Sequence, residues 1–157
     1  MYNSQLKRLN QSILSQGKPK RPYAVFEPMV LGPKKRKKMK KGVWIELGSS
    51  LPNLYIVKNH AEIYAAELGI DDGLEAIWVQ EMENVSFDET EIKKGAGLLE
   101  IRLAVFPEDD LETGSIVRFG WSLTNNLVLT LSGVYAGSGS LLSYEKGYVV
   151  DVTEWLL

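Results

Sequence analysis

From residue 42 onward, apolar and polar positions alternate with a period of two, the signature of half-buried β-strands. The alternation is clearest at Val117, Phe119, Trp121 and Leu123, and again at Leu127, Leu129 and Leu131. Thr124-Asn125-Asn126 stands between these runs as a turn, so the pattern predicts a hairpin. Further strand cores are Val43/Ile45/Leu47, Leu54 to Val57, Ile77/Val79, Leu99/Ile101/Leu103 and Tyr148/Val150/Val152. Polar segments separate them: Asp71-Asp72-Gly73, Glu108-Asp109-Asp110 and Gly137-Ser138-Gly139-Ser140, the last read as a hairpin turn. Only residues 63–68 have any helical character in this region. Six to eight short strands with polar turns predict a mainly β fold, a compact antiparallel β-sandwich.

The first 41 residues read differently. Leu6, Leu9, Ile13 and Leu14 fall at helical spacing within residues 2–16, and Gly17 follows as a stop. So short a helix is marginal alone and is expected to dock on the body or on a partner. Lys18-Pro19-Lys20-Arg21-Pro22 favours an extended path. Tyr23 to Phe26 is then a strand that ends near Pro28. The chain therefore divides into a basic N-terminal arm, 1–41, containing a short helix, an extended segment and a Lys-rich loop, and a β-sandwich domain, 42–157.

Charge sharpens this division. Residues 1–41 carry twelve Lys or Arg against one acid, Glu27, a net +11. Residues 42–157 carry six against nineteen, a net −13, so the overall −2 hides two opposed halves. The densest run is Lys34, Lys35, Arg36, Lys37, Lys38, Met39, Lys40 and Lys41, preceded by Gly32-Pro33 and followed by Gly42. It reads as a loop or tongue. The plain reading is a solvated loop that offsets the acidic body. The functional one is a polyanion-binding site formed by its seven cations, contacting nucleic-acid phosphates with steep salt dependence. Pro33 to Lys37 is also similar to basic nuclear-localisation segments. No aromatic residue lies within the run, so the run itself offers no stacking surface for bases.

At 157 residues the chain is long enough for a real core. It has no cysteine, hence no disulfide, thiolate metal site or thiol nucleophile. No apolar run approaches the ~20 residues needed to cross a bilayer, and the N-terminal segment lacks the apolar core of a secretory signal. These features point to no membrane and to a cytoplasmic location, or a nuclear one if the source is eukaryotic or viral.

Four segments, in order, resemble the substrate-binding β domain of DnaK-type heat-shock chaperones. In residues 42–59, Ile45-Glu46, Gly48-Ser49-Ser50 and Lys58-Asn59 fall where that family has Leu-Gly-Ile-Glu, a small-residue loop and a basic residue followed by Asn. Residues 77–83 are similar to its Ile-x-Val-x-Gln-Gly-Glu strand. Residues 98–107 are similar to its Leu-Gly-x-Phe-x-Leu-x-Gly-Ile-Pro segment. Residues 117–133 resemble its Asp-x-Asn-Gly hairpin. The likeness spans residues 42–140. It implies a cleft that takes an extended apolar peptide through main-chain hydrogen bonds, with Ile45, Leu47 and Gly48 in one loop and Leu74 and Ile77 near the second. Ala66, Leu68 and Gly69 form a shorter match. The family's ATPase domain and helical lid have no counterpart here, Met82 and Leu127 replace glycines, and the basic run interrupts the opening strand.

Catalytic chemistry is poorly represented. His60, the single histidine, stands at a strand end and reads as structural or solvated; no base can be paired with a nucleophile. Asp71-Asp72 and Glu108-Asp109-Asp110 lack the ordered spacing of a cation site and read as solvated turns. Gly137 to Ser140 lacks the Gly-Lys-Ser/Thr ending of a P-loop. Tryptophans 44, 78, 121 and 155 read first as packing residues and secondarily as exposed recognition aromatics. If Ile77 faces the core, Trp78 faces out and requires cover.

The expected protein is thus not an enzyme and has no cofactor or metal. Two readings remain. One is a peptide- or protein-binding β module of the chaperone type that holds or docks passively. The other is a structural or assembly protein, such as a viral or phage particle component, whose basic arm contacts nucleic acid or neighbouring subunits.

Overall fold

The computed structural model of the chain describes residues 8–9, 21–59, 62–83, 96–106 and 111–157. They form a mainly β protein: β1 (Tyr23–Phe26), β2 (Met29–Leu31), β3 (Trp44–Gly48), β4 (Leu54–Val57), β5 (Ile63–Asp71), β6 (Leu74–Glu83), β7 (Gly97–Val105), β8 (Ile116–Arg118), β9 (Leu127–Leu131), β10 (Val134–Tyr144) and β11 (Gly147–Trp155), with one short helix, α1 (Pro33–Lys37), between β2 and β3. All pairings are antiparallel. The strands make one continuous sheet in the order β3-β11-β10-β9-β7-β1-β4-β5-β6-β8, and β2 pairs with β7 beside β1. Ile45 of the end strand β3, Ile77 of β6 and Leu129 of β9 share one core, so the sheet folds over on itself.

The boundary drawn at residue 41 does not divide this sheet. β1 lies in its middle, between β7 and β4. β1 and β4 are buried on both faces, as their unbroken apolar sequences YAVF and LYIV require. Ala24, Phe26, Leu54 and Ile56 enter the main core. Tyr23, Val25, Tyr55 and Val57 point the other way and pack with Ile63 beneath Leu9. The helix expected over residues 2–16 lies outside the described residues except for Arg8 and Leu9, which are helical.

Four local expectations are corrected. Residues 117–131 do not form a hairpin: β8 pairs with β6, and β9 pairs with β7 and β10. Residues 119–126 are a loop whose alternation marks two core anchors, Phe119 and Leu123, while Trp121 remains 56% exposed. Glu75 holds this loop. Its carboxylate accepts from the Leu123 amide at 2.7 Å and the Thr124 hydroxyl at 2.8 Å, and its carbonyl accepts from the Phe119 amide at 2.9 Å.

Residues 137–140 are not a turn but run through β10. A Cβ on Gly137 would lie 2.0 Å from the Glu154 carbonyl oxygen, and one on Gly139 would lie 2.9 Å from that of Asp151. These glycines admit a close approach by β11. Residues 63–68 belong to β5 rather than to a helix. The true turn between β5 and β6 is Asp72-Gly73, with φ of 52° and 76°, the positive pair a tight two-residue hairpin requires.

The basic run, finally, is not a simple loop: its first half is α1. Pro33 opens α1 at its first turn, where a missing N–H is harmless. Lys and Arg are good helix formers, and cations in the last turn favour the C-terminal carbonyls. A helix of five residues is not stable alone. Leu31 before it and Met39 after it are both buried in the main core and pin it to the sheet.

Candidate functional site

The seven cations of residues 34–41 sit on α1 and the turn that follows, and all are exposed. Backbone bonds tie the segment down. The Arg36 amide donates to the Gly32 carbonyl at 2.9 Å, and the Met39 amide donates to that of Arg36 at 3.3 Å. The Gly42 amide reaches the Val152 carbonyl of β11 at 2.7 Å. Among the described residues, ion pairs join Lys58 to Glu62, Arg102 to Glu100 and Arg118 to Asp71; none engages a cation of this run. The acidic body therefore does not neutralise the run through direct contact within the described residues. The result is an ordered, strongly positive knob.

Beside the knob lies a recess of about 510 Å³, lined by Pro33, Arg36, Lys37, Leu131, Trp155 and Leu157. Trp155 is half-buried and packs against the main core. Gly137 stands opposite it in the β10–β11 ladder, and the Leu156 amide donates to the Ala136 carbonyl at 2.8 Å. The indole is thus placed by strand pairing, not by a loop. The sequence shows the cations and offers Trp155 as one of four candidate recognition aromatics, but it does not bring the two together, because Trp155 is at the far end of the chain. It closes β11, beyond the Tyr148/Val150/Val152 alternation, and no local pattern links it to α1.

The residues expected to bind peptide are not gathered in one place. Ile45 and Ile77 are fully buried in the shared core, so their side chains are not offered to a ligand. Leu47 is partly buried against that core. Gly48 and Leu74 are exposed, on β3 and at the start of β6. A second recess, of about 390 Å³, brings together Leu51, just after the Gly48-Ser49-Ser50 loop, with Ala66 and Leu68 of β5 and the carboxylates of Glu67 and Glu83. Trp78 does face out; its cover is Gly69 on β5, where an added Cβ would lie 2.8 Å from the indole ring.

Elsewhere, one carboxylate and two phenols are buried: Glu100, Tyr23 and Tyr55. Glu100 is fully buried on β7. Its Oε1 accepts from Arg102 Nη2 at 2.8 Å and from the Thr130 hydroxyl at 2.8 Å. The Arg102 guanidinium also lies 3.9 Å from the centre of the Tyr23 ring. Burial raises the Tyr23 phenol well above its usual range, with the Glu100 charge adding to the effect. Burial and then the Glu27 charge push Tyr55 up to about 12.

Among the described residues no group of three His, Cys, Asp or Glu side chains is placed to hold a metal ion. Nor is any helix among them long and apolar enough to cross a membrane. His60 and residues 108–110 lie outside the described residues. No protein-family model matches the chain, and no curated protein matches it significantly.

Proposed function

We propose that the protein is a non-enzymatic binding and assembly module that docks onto a polyanion, foremost nucleic-acid phosphates, through the α1 knob. One observation carries this reading. The seven cations of residues 34–41 are exposed and outside the ion pairs of the described residues, on a segment pinned by Leu31 and Met39. A solvated tail needs no such anchoring. A pre-ordered charge cluster loses less entropy when it binds. Releasing counterions from a phosphate chain then supplies the affinity.

The test is a fluorescence-anisotropy titration of the full chain with a labelled oligonucleotide over a range of salt. Four to seven phosphate contacts with a single strand give a slope of log affinity against log salt of about −3 to −5. Replacing Lys34, Lys35, Arg36, Lys37 and Lys38 by Gln should remove most of that slope. Binding that ignores these substitutions would sink the reading.

Peptide holding, as in the chaperone domain, is the second reading. It is favoured by the recess that joins Leu51 with Ala66 and Leu68, positions at or beside those the resemblance singled out. Its rim of Glu67 and Glu83 suits an extended apolar segment with basic flanks. Leu68→Asp should abolish binding of a labelled peptide of that kind; retained binding would count against this site.

A further inference from the structure

We propose that the recess between α1 and the end of β11 is a single-strand nucleic-acid subsite. A base stacks on the Trp155 indole while the adjoining phosphates lie on Arg36 and Lys37. This deepens the polyanion reading of α1 and rests on it.

Two kinds of surface meet in the recess. Part of its lining is apolar and aromatic, from Leu131, Trp155, Leu157 and Pro33, and part is cationic, from Arg36 and Lys37. Charge alone would suit any polyanion. Apolar surface alone would suit a hydrophobic side chain. A nucleotide unit has a planar π face and an anion joined by a short linker, so it matches both. The volume of about 510 Å³ falls within the range of ligand clefts, roughly 300–1,000 Å³. Aromatic platforms beside a basic track are the general device for binding unpaired strands, because every base has a face to stack.

The geometry also disfavours competing ligands. In a duplex, bases are stacked on each other and cannot reach an indole in a recess without unpairing. A sulfated polysaccharide satisfies the cations and leaves the apolar lining unused. The neighbouring acid, Glu154, does not intrude. It alternates to the other face of β11, where it accepts a hydrogen bond from the Tyr135 hydroxyl at 3.3 Å. Trp155 needs little rearrangement, since Gly137 and the Ala136 carbonyl already hold its strand end in place.

The experiment uses the full chain and four labelled probes of equal charge: oligothymidylate, the same strand with abasic sites throughout, a duplex, and heparin. Each is titrated by anisotropy against the parent, Trp155→Ala, Trp155→Phe, Trp121→Ala and the α1 Gln variant. Circular dichroism confirms that each variant is folded. The expected result is tightest binding to oligothymidylate. Trp155→Ala should weaken it roughly 5- to 150-fold, the range for losing one stacked base. Trp155→Phe should retain most of the affinity and Trp121→Ala all of it. The abasic strand should bind parent and Trp155→Ala alike, which tests stacking even if the Ala variant is damaged.

Equal binding of all four probes, unaffected by Trp155→Ala but lost in the α1 Gln variant, would overturn the subsite and leave the polyanion reading intact. Equal binding of oligothymidylate and the abasic strand to the parent would overturn it as well. No salt-sensitive binding of any probe would overturn both.

Discussion

Gly137 and Trp155 face each other across the β10–β11 ladder, and the absence of a side chain at Gly137 is what lets the Trp155 strand end lie there. A Cβ at Gly137 would fall 2.0 Å from the Glu154 carbonyl oxygen and 3.1 Å from the Trp155 Cα. Both are backbone atoms, which cannot rotate away as a side chain does. Gly137→Ala should therefore push β11 outward and cost about 1–3 kcal/mol, the range for overpacking. At about 2–4 °C per kcal/mol for a domain of this size, a thermal melt should show the loss. Oligonucleotide affinity should fall with it, because the indole leaves its recess.

The Glu75 carboxylate replaces the hairpin that alternation predicts over residues 117–131. It accepts from the Leu123 and Thr124 amides and from the Thr124 hydroxyl. Glu75→Ala leaves these donors without their acceptor beside the buried Leu123, at a cost of about 1–3 kcal/mol. Glu75→Gln keeps one acceptor oxygen and should lose less. Urea midpoints for the two variants check this ordering.

Arg102→Ala should be among the most destabilising substitutions of a polar residue. It removes the guanidinium that donates to fully buried Glu100 and covers the Tyr23 ring. Removing one partner of a buried ion pair costs about 3–5 kcal/mol. The double substitution Glu100→Gln with Arg102→Met should recover part of that, since no carboxylate then stays behind. A double-mutant cycle by chemical denaturation measures the coupling.

Alkaline pH should unfold the protein through its buried phenols. In the unfolded chain Tyr23 and Tyr55 ionise near pH 10. In the fold Tyr55 is raised to about 12, and Tyr23 is raised further. The unfolded state therefore loses protons first as pH rises. The stabilisation is complete below about pH 10 and declines from there through the folded values. Melting temperature should fall steeply between about pH 10 and about pH 12, and Tyr55→Phe should flatten that fall. An unchanged profile in Tyr55→Phe would assign the alkaline limb to other groups.

Met39→Ala separates anchoring from charge. It leaves all seven cations in place but removes a side chain buried in the main core. The cost should be about 2 kcal/mol, at the low end for deleting a buried Met side chain. The knob should loosen as well. If ordering of α1 matters, oligonucleotide affinity drops several-fold in a variant that is still folded and equally charged.

Local pattern by itself determined much of this protein. The YAVF and LYIV runs are strands because a short unbroken apolar run suits burial on both faces, and the Ile77/Val79 and Tyr148/Val150/Val152 alternations are strands because period-two burial is written into neighbouring residues. The basic run, the absence of cysteine and the Asp72-Gly73 turn are equally local facts. Misreadings came where a residue's role depends on a distant partner. Phe119 and Leu123 alternate like a strand, yet the Glu75 carboxylate bends their segment into a loop. Gly137 and Gly139 look like a turn until the β11 backbone arrives above them. Ile45 and Ile77 look available to a ligand until the sheet folds over and buries both. The same holds for the candidate site. Charge is additive along a chain, so seven cations in eight residues announce themselves. Whether an aromatic face stands beside them depends on which strand ends where, and only antiparallel pairing of the last strand places Trp155 against α1.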